Sequence, residues 1–322
     1  MNKKAISQMF TWIFIIIAGS LILIFFIRFA FQQTQIFGQK GSVELIASLE
    51  DQLEAFSVSE QSSKSVSLGY NTEVEFTCDQ IVNENIPKRT NLLIFAPSKI
   101  KGKNLLTWTL NWEFPFSISN LYFIASEQSR YLLIYDKDSF SQVASFNFPS
   151  FFSLQKINYD NLNLDDLAQN TKNLQNLNLI YFTQLKRPAE IFKKFPNVKL
   201  NIVQVDLREN EIKIFHPDGS FTASYFLEQP ILYGAIFGPE NFECVKNKAL
   251  ERLDLLTQVY SQKAVHLSTK TEMPLCRVKY YEIRNSLELF KDADSKQLLY
   301  ELKDKIKIQN KALQKNACPT IY

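Results

Sequence analysis

The stretch from Ala5 to Ile27, AISQMFTWIFIIIAGSLILIFFI, carries no charged side chain, and it restricts the fold more than any other feature of the chain. As an α-helix it would be about 34 Å long, enough to cross a hydrocarbon core of about 30 Å. A cleaved secretory signal has a shorter apolar region that ends in small residues, whereas this one continues through Phe29-Ala30-Phe31. The pattern therefore predicts a lasting transmembrane helix over residues 5–31.

The charges that flank this helix predict its orientation. Lys3, Lys4 and the α-amino group precede it, and Arg28 and Lys40 follow it. Because positive charge is retained on the cytoplasmic side, residues 1–4 are predicted to form a cytoplasmic basic tip. The prediction is a single-pass, signal-anchored protein of the cell membrane, with the lipid bilayer as a partner and the C-terminal domain outside.

The helical pattern continues beyond the predicted span. No proline occurs between Phe29 and Phe56, and apolar residues recur at intervals of three and four from Ile36 onward, which is the spacing of one helix face. A helical stalk is predicted over residues 32–57. Such a stalk either packs on its own domain or supports self-association through the N-terminal helix.

The first residues also resemble a known kind of leader. Lys3-Lys4-Ala5, followed by Ile6-Ser7-Gln8 and an apolar helix, resembles the leader of archaeal type IV pilins and archaellins, and ISQMFTWIF resembles the start of archaeal single-span membrane proteins. The resemblance covers about thirty residues. It implies a cut between Ala5 and Ile6 and a pilin-like filament subunit. The chain departs from that pattern because the span lacks an early acidic residue and Arg28 follows it.

Composition predicts a packed domain after the stalk. Hydrophobic residues make up 46 % of the chain, with 27 Phe, enough for a substantial core. The 8 glycines make a glycine-built phosphate loop improbable, and interspersed charges with a net +3 argue against a nucleic-acid partner. Residues 58–322 are therefore assigned to one α/β domain with a mixed sheet, and a subdivision near residues 155–176 is the alternative.

Within that domain several elements can be predicted. LNLIYF (177–182), RPAEIFKKF (187–195) and VKLNIVQVD (198–206) form a strand, a helix and a second, parallel strand. A hairpin turn is predicted at Pro217-Asp218-Gly219-Ser220. SVSEQSSKS (57–65) is predicted as a linker, Gly69-Tyr70-Asn71 as a turn between two strands, and PILYGAIF (230–237) as a buried strand. Helices are predicted at 239–262, 278–290 and 294–316.

The four cysteines, Cys78, Cys244, Cys276 and Cys318, have no CxxC spacing, so a zinc ribbon or a redox dithiol is not indicated. Outside the cell they become disulfide candidates. Three pairings are open. The C-terminal three are favoured to supply one bridge, with Cys318 in it.

The residues do not form a catalytic, cofactor-binding or metal-binding motif, and no cofactor is predicted. Asp136 follows YLLIY at a predicted strand end, and the loop after Phe182 supplies Lys186 and Arg187. If the domain binds a ligand or acts as an enzyme, these three residues are the ones expected near its site. The leading interpretation is a membrane-anchored cell-envelope protein with a structural or interaction role. The alternatives are a pilin-like subunit and a membrane-tethered enzyme or ligand-sensing domain.

Overall fold

The computed structural model describes residues 19–28, 41–56, 62–293 and 295–322. These residues form two six-stranded sheets with helices around and between them, which confirms the α/β class. The predicted leader cut at Ala5 and Ile6 and most of the predicted span lie outside the described residues. Residues 19–28 are helical, with exposed side chains from Leu21 to Ile27. No helix in the described ranges is both long and apolar enough to cross a membrane.

The first sheet, sheet A, is mostly antiparallel. Its strands are β1 (Ser63–Phe76), β2 (Gln80–Asn83), β3 (Ile86–Arg89), β4 (Leu93–Phe95), β5 (Lys99–Glu113) and β6 (Ser117–Ser126). They lie in the order β3-β2-β1-β5-β6-β4, and only β4 pairs with its neighbour in parallel. Helix α1 (41–56), within the predicted stalk, packs on one face through Ile46, Leu49 and Leu53.

Both faces of sheet A are covered, which explains its unbroken apolar runs. In β6, Leu121 and Phe123 face the central core, whereas Tyr122 and Ile124 face α1. Because successive side chains of a strand point to opposite faces, a strand covered on both sides needs apolar residues at every position.

Two predictions near β1 are wrong. Of the predicted linker 57–65, residues 57–61 lie outside the described residues, but Ser63 to Ser65 already pair with β5. The predicted turn at Gly69-Tyr70-Asn71 lies within β1. The chain accommodates it as a bulge, because the register against β5 shifts between Ser67 and Thr72 and Gly69 adopts a φ of 79°, which glycine allows at little cost.

The second sheet, sheet B, is mixed. Its strands are β7 (Ser129–Tyr135), β8 (Ser153–Asn158), β9 (Asn176–Tyr181), β10 (Lys199–Asp206), β11 (Glu211–Phe215) and β12 (Phe221–Tyr225). The order is β12-β11-β10-β9-β7-β8, with β8, β7, β9 and β10 parallel. The predicted strand–helix–strand unit is confirmed as β9, α4 (Pro188–Lys194) and β10, and the predicted hairpin as β11 and β12.

Three short helical elements connect the parallel strands. They are α2 (Phe140–Ala144) between β7 and β8, and a 3-10 turn (Tyr159–Asn161) with α3 (Leu164–Gln169) between β8 and β9. Val143 of α2 joins the central core, whereas Ile191 of α4 joins the cluster on the opposite face of sheet B. The connections thus cover both faces of the sheet.

The segment predicted as a buried strand, PILYGAIF, is instead part of helix α5 (Glu228–Phe237). All residues from Ile231 to Phe237 are buried, so the segment shows no helical periodicity. A short run that is apolar on every side fits a buried strand and a buried helix equally well. The central core that contains α5 draws residues from both sheets, across the predicted subdivision.

The C-terminal helices are α6 (Phe242–Lys270), α7 (Pro274–Lys291) and α8 (Lys296–Lys315). They correspond to the three predicted helices, although α6 extends eight residues beyond the predicted end at 262. Its buried face includes Val245, Ala249 and Leu253, whereas Val259 is 56 % exposed.

The four cysteines form two disulfides, and none is free. Cys78, after β1, is bonded to Cys244 in the first turn of α6. Cys276 of α7 is bonded to Cys318 in the tail after α8. The first bond therefore attaches the helical layer to sheet A, and the second fixes the C-terminus to that layer.

Candidate functional site

The parallel part of sheet B reverses its direction of growth at β7 and β9. From β7 the chain moves to β8 on one side, and then it crosses to β9 and β10 on the other. At such a position the loops after neighbouring strands diverge and leave a crevice at the carboxyl edge of the sheet, where ligands of open α/β sheets bind.

A cleft of about 560 Å³ lies at this edge. We call it the switch-point cleft. Its walls come from the loops that follow β7, β8, β9 and β10. The lining residues used below are Asp136, Asp138, Ser139, Gln142, Tyr159, Thr183, Gln184, Lys186, Gln204, Asp206 and Arg208.

Asp136, directly after β7, organises one wall of the cleft. Its Oδ1 accepts hydrogen bonds from the backbone N–H of Ser139 at 2.9 Å, from the Ser139 hydroxyl at 2.8 Å and from the N–H of Asp138 at 3.1 Å. The side chains of Thr183 and Ser139 hold the pKa of Asp136 below its usual value, because both donate to the charged form. The carboxylate is thus used to fix the loops after β7 and β9.

Asp206, the last residue of β10, fixes the loop that follows β10 in the same way. Its Oδ1 accepts hydrogen bonds from the N–H groups of Arg208 at 2.9 Å and Glu209 at 3.1 Å. The neighbouring Gln204 donates from Nε2 to the carbonyl of Thr183 at 3.0 Å. Consequently the loops after β7, β9 and β10 are held together by side chains at the strand ends.

Three charged groups of the cleft remain without such partners. The exposed side chains of Lys186, Arg208 and Asp138 make no ion pair with any residue in the described ranges. They come from three different loops, after β9, β10 and β7. These groups are therefore available to a molecule in the cleft.

The carboxylates at the strand ends of the cleft are hydrogen-bonded to their own loops. A general base works best when its pKa lies near the working pH, whereas hydrogen bonds lower the pKa of Asp136. In the part of the chain that is described, no group of three or more His, Cys, Asp or Glu could hold a metal ion. What the cleft offers is a set of charged and polar groups on a fixed frame.

Two of the three residues predicted near a ligand site, Asp136 and Lys186, line this cleft. Arg187 does not line it. It lies in a smaller neighbouring cleft of about 320 Å³ and pairs with Glu190 at 3.5 Å. The lysines that follow Ala96 do not line the cleft, because Lys99 begins β5 and pairs with Glu73 and Glu75.

Sequence reasoning missed Tyr159, Gln204, Asp206 and Arg208. A signal for Asp206 exists, because it follows the buried run NIVQV just as Asp136 follows YLLIY. Tyr159 and Arg208 lie in turns without any distinguishing pattern, and only the strand order brings them to the cleft.

Compared with known proteins, the chain matches no family model, and no curated protein or solved structure is significantly similar to it.

Proposed function

We propose that this chain is a membrane-tethered protein whose α/β domain lies outside the cytoplasm and has an interaction role at the cell envelope. The observation that carries the proposal is the pairing of all four cysteines into two disulfides. Structural disulfides persist in oxidising compartments and are rare in a reducing cytoplasm.

The N-terminal residues support the membrane tether. The stretch from Ala5 to Ile27 is uncharged, and within it the side chains from Leu21 to Ile27 are 48–65 % exposed. Exposing that much contiguous apolar surface to water is unfavourable, and lipid removes the penalty. The two cations at positions 3 and 4 favour a cytoplasmic N-terminus.

Thiol labelling in cells tests the location. Cells that produce the full chain are treated with a membrane-permeant alkylating reagent before lysis, and the chain is then analysed with and without reduction. We expect no cysteine labelled by this reagent, and four cysteines that react with a second alkylating reagent only after reduction. Four labelled cysteines without reductant would contradict an extracytoplasmic domain.

Extraction tests the tether separately. The chain should stay with membranes in alkaline carbonate, and a variant with Ile16→Lys and Leu23→Lys should be released, because each charge is costly at the bilayer centre. A variant with exposed Lys172→Gln is the matched control. N-terminal sequencing of the mature chain decides the filament alternative, which requires a start at Ile6.

A second candidate function, small-ligand sensing, is favoured by one observation. The switch-point cleft combines the position at which α/β sheets bind ligands with charged groups that have no described ion-pair partner. Addition of fractions of a small-molecule extract should raise the unfolding temperature of the purified chain, because a ligand stabilises the state that binds it. A shift that survives the variant Lys186→Gln/Arg208→Gln would place the ligand elsewhere.

A further inference from the structure

The switch-point cleft is lined by charged side chains of both signs. Asp136 and Asp206 are engaged in hydrogen bonds to their own loops. The charged side chains of the cleft that make no such bond within the described residues are one carboxylate, Asp138, and two cations, Lys186 and Arg208.

The strand order separates these groups in space. Asp138 follows β7, Lys186 follows β9 and Arg208 follows β10, and β9 lies between β7 and β10. Because adjacent strands are about 4.8 Å apart, the loops after β7 and β10 leave the sheet about 10 Å from each other. Asp138 and Arg208 therefore come from opposite ends of the cleft, and Lys186 comes from the loop between them.

We propose that the switch-point cleft binds a small zwitterion, with the chemistry of a free amino acid or a dipeptide. The ligand carboxylate lies between Lys186 and Arg208, and its ammonium group faces Asp138. A polyanion would meet the carboxylate of Asp138 without compensation, and a simple cation would meet the two basic groups. A molecule that carries both charges can pair with Asp138 at one end and with Lys186 and Arg208 at the other.

The remaining lining groups fit such a ligand. The hydroxyl of Tyr159 and the amides of Gln142, Gln184 and Gln204 can donate to or accept from polar groups. A volume of about 560 Å³ is in the range of small-molecule sites. This proposal rests on the ligand-sensing function proposed above, and it specifies the class of ligand.

The test is calorimetric titration of the full chain in lipid nanodiscs with each of the twenty common amino acids and with glycylglycine. Glucose, acetate and inorganic phosphate serve as neutral and anionic comparisons. We expect one-to-one binding of at least one zwitterion. The variant Lys186→Gln/Arg208→Gln should weaken it about tenfold or more, because it removes charge-assisted hydrogen bonds.

Two further variants locate the charges. Asp138→Asn should weaken binding of the zwitterion but not of its analogue that lacks the amino group. Lys172→Gln changes an exposed lysine in the connection that enters β9, at the opposite edge of sheet B. It should leave both affinities unchanged.

The outcomes separate the two proposals. If glucose or phosphate binds, the binding is lost in Lys186→Gln/Arg208→Gln and no zwitterion binds, the cleft is a ligand site but the zwitterion assignment is wrong. Absence of binding by every compound overturns both proposals. Zwitterion binding that is equally tight in the double variant overturns the placement in this cleft.

Discussion

Cys276 and Cys318 are joined by a disulfide with their Cα atoms 5.7 Å apart, and this bond fixes the C-terminal tail against α7. Three hydrogen bonds support the same position. The Tyr280 hydroxyl donates to the carbonyl of Pro319 at 2.9 Å, the N–H of Ile321 donates to Asn310 at 2.8 Å, and Lys263 donates to the carbonyl of Ile321 at 2.7 Å. The tail is therefore part of the helical layer.

Removal of this bond should lower stability and release the tail. The variant Cys276→Ala/Cys318→Ala opens a loop with a sequence separation of 42, and we expect the free energy of unfolding to fall by about 2–4 kcal/mol. Denaturant titration measures the loss, and carboxypeptidase digestion reports on the tail. The variant Cys78→Ala/Cys244→Ala is the comparison. It should also lose stability but keep a protected C-terminus, and a tail that is equally protected in both variants would refute the assigned role.

Gly234 should not tolerate alanine, because α5 lies too close to sheet A. A Cβ at this position would lie 2.6 Å from Cε1 of Phe95 in β4. The gain in helix propensity of up to about 1 kcal/mol opposes an overpacking cost of about 1–3 kcal/mol. Because a contact of 2.6 Å places the cost in the upper part of that range, we expect a net loss of about 1–2 kcal/mol for Gly234→Ala in a urea titration. Gly102→Ala is the control, since its Cβ would meet nothing closer than 3.5 Å. Equal stability of the two variants would contradict this packing.

Local sequence patterns were sufficient to predict some elements of the fold and not others. The strand–helix–strand unit through Asp206 was predictable, because its buried strands and the proline at the start of α4 are local signals. Helix α5 was not, because a segment buried on all sides has no periodicity. Only some of the residues that line the cleft could be predicted from the sequence. Asp136 follows a recognisable strand, but the approach of Arg208 depends on the strand order of sheet B, which no local pattern encodes.

Asp136 should make the free energy of unfolding depend on pH in the acid range. Hydrogen bonds from Thr183 and Ser139 lower its pKa in the folded state, so its contribution is present above the unfolded pKa of about 3.9 and is lost as pH falls through the lower, folded pKa. At pH 7, Asp136→Asn should cost about 1 kcal/mol, since the site is partly exposed. Denaturant titrations from pH 7 to pH 2 should show this difference shrinking towards the acid end.

The matched control for that titration is Asp138→Asn, two residues away in the same loop. Within the described residues of this loop, the carboxylate of Asp138 accepts no hydrogen bond. Only its backbone N–H takes part, by donating to Asp136. The ligand-free stability of this variant should equal that of the wild type at pH 7. If Asp136→Asn behaves in the same way as Asp138→Asn, the carboxylate of Asp136 does not hold the loop.

Replacement of Tyr131 by phenylalanine should not lower the stability of the chain, although Tyr131 is fully buried in the central core. Its hydroxyl makes no hydrogen bond with any residue of the described part of the chain. Burial raises its pKa, because the charged phenolate loses its hydration. A buried polar group without a partner is unfavourable, so Tyr131→Phe should leave the free energy of unfolding unchanged or raise it by about 1 kcal/mol at pH 7.

Tyr233 is the matched comparison, because it contacts the same Phe148 ring but its hydroxyl accepts a hydrogen bond from Gln229 at 2.8 Å. Burial raises its pKa to about 12. Tyr233→Phe should therefore lower stability by about 1 kcal/mol at pH 7, in the opposite direction to Tyr131→Phe. Urea titrations of both variants followed by circular dichroism measure the difference, and a greater loss for Tyr131→Phe would show that its hydroxyl has a favourable role.

The burial of Tyr131 should also affect how the stability of the chain depends on alkaline pH. Tyrosines with raised pKa values stay neutral in the folded chain while the unfolded chain ionises at about pH 10, so the unfolded state releases protons first and stability falls as pH rises above about 10. Because Tyr131→Phe removes one such group, this variant should lose less stability than the wild type between pH 9 and pH 11. The difference in tyrosinate absorbance at 295 nm between the wild type and Tyr131→Phe, recorded with the unfolding signal, isolates Tyr131 and should appear together with unfolding. Ionisation of Tyr131 in the still-folded chain would contradict its burial in the core.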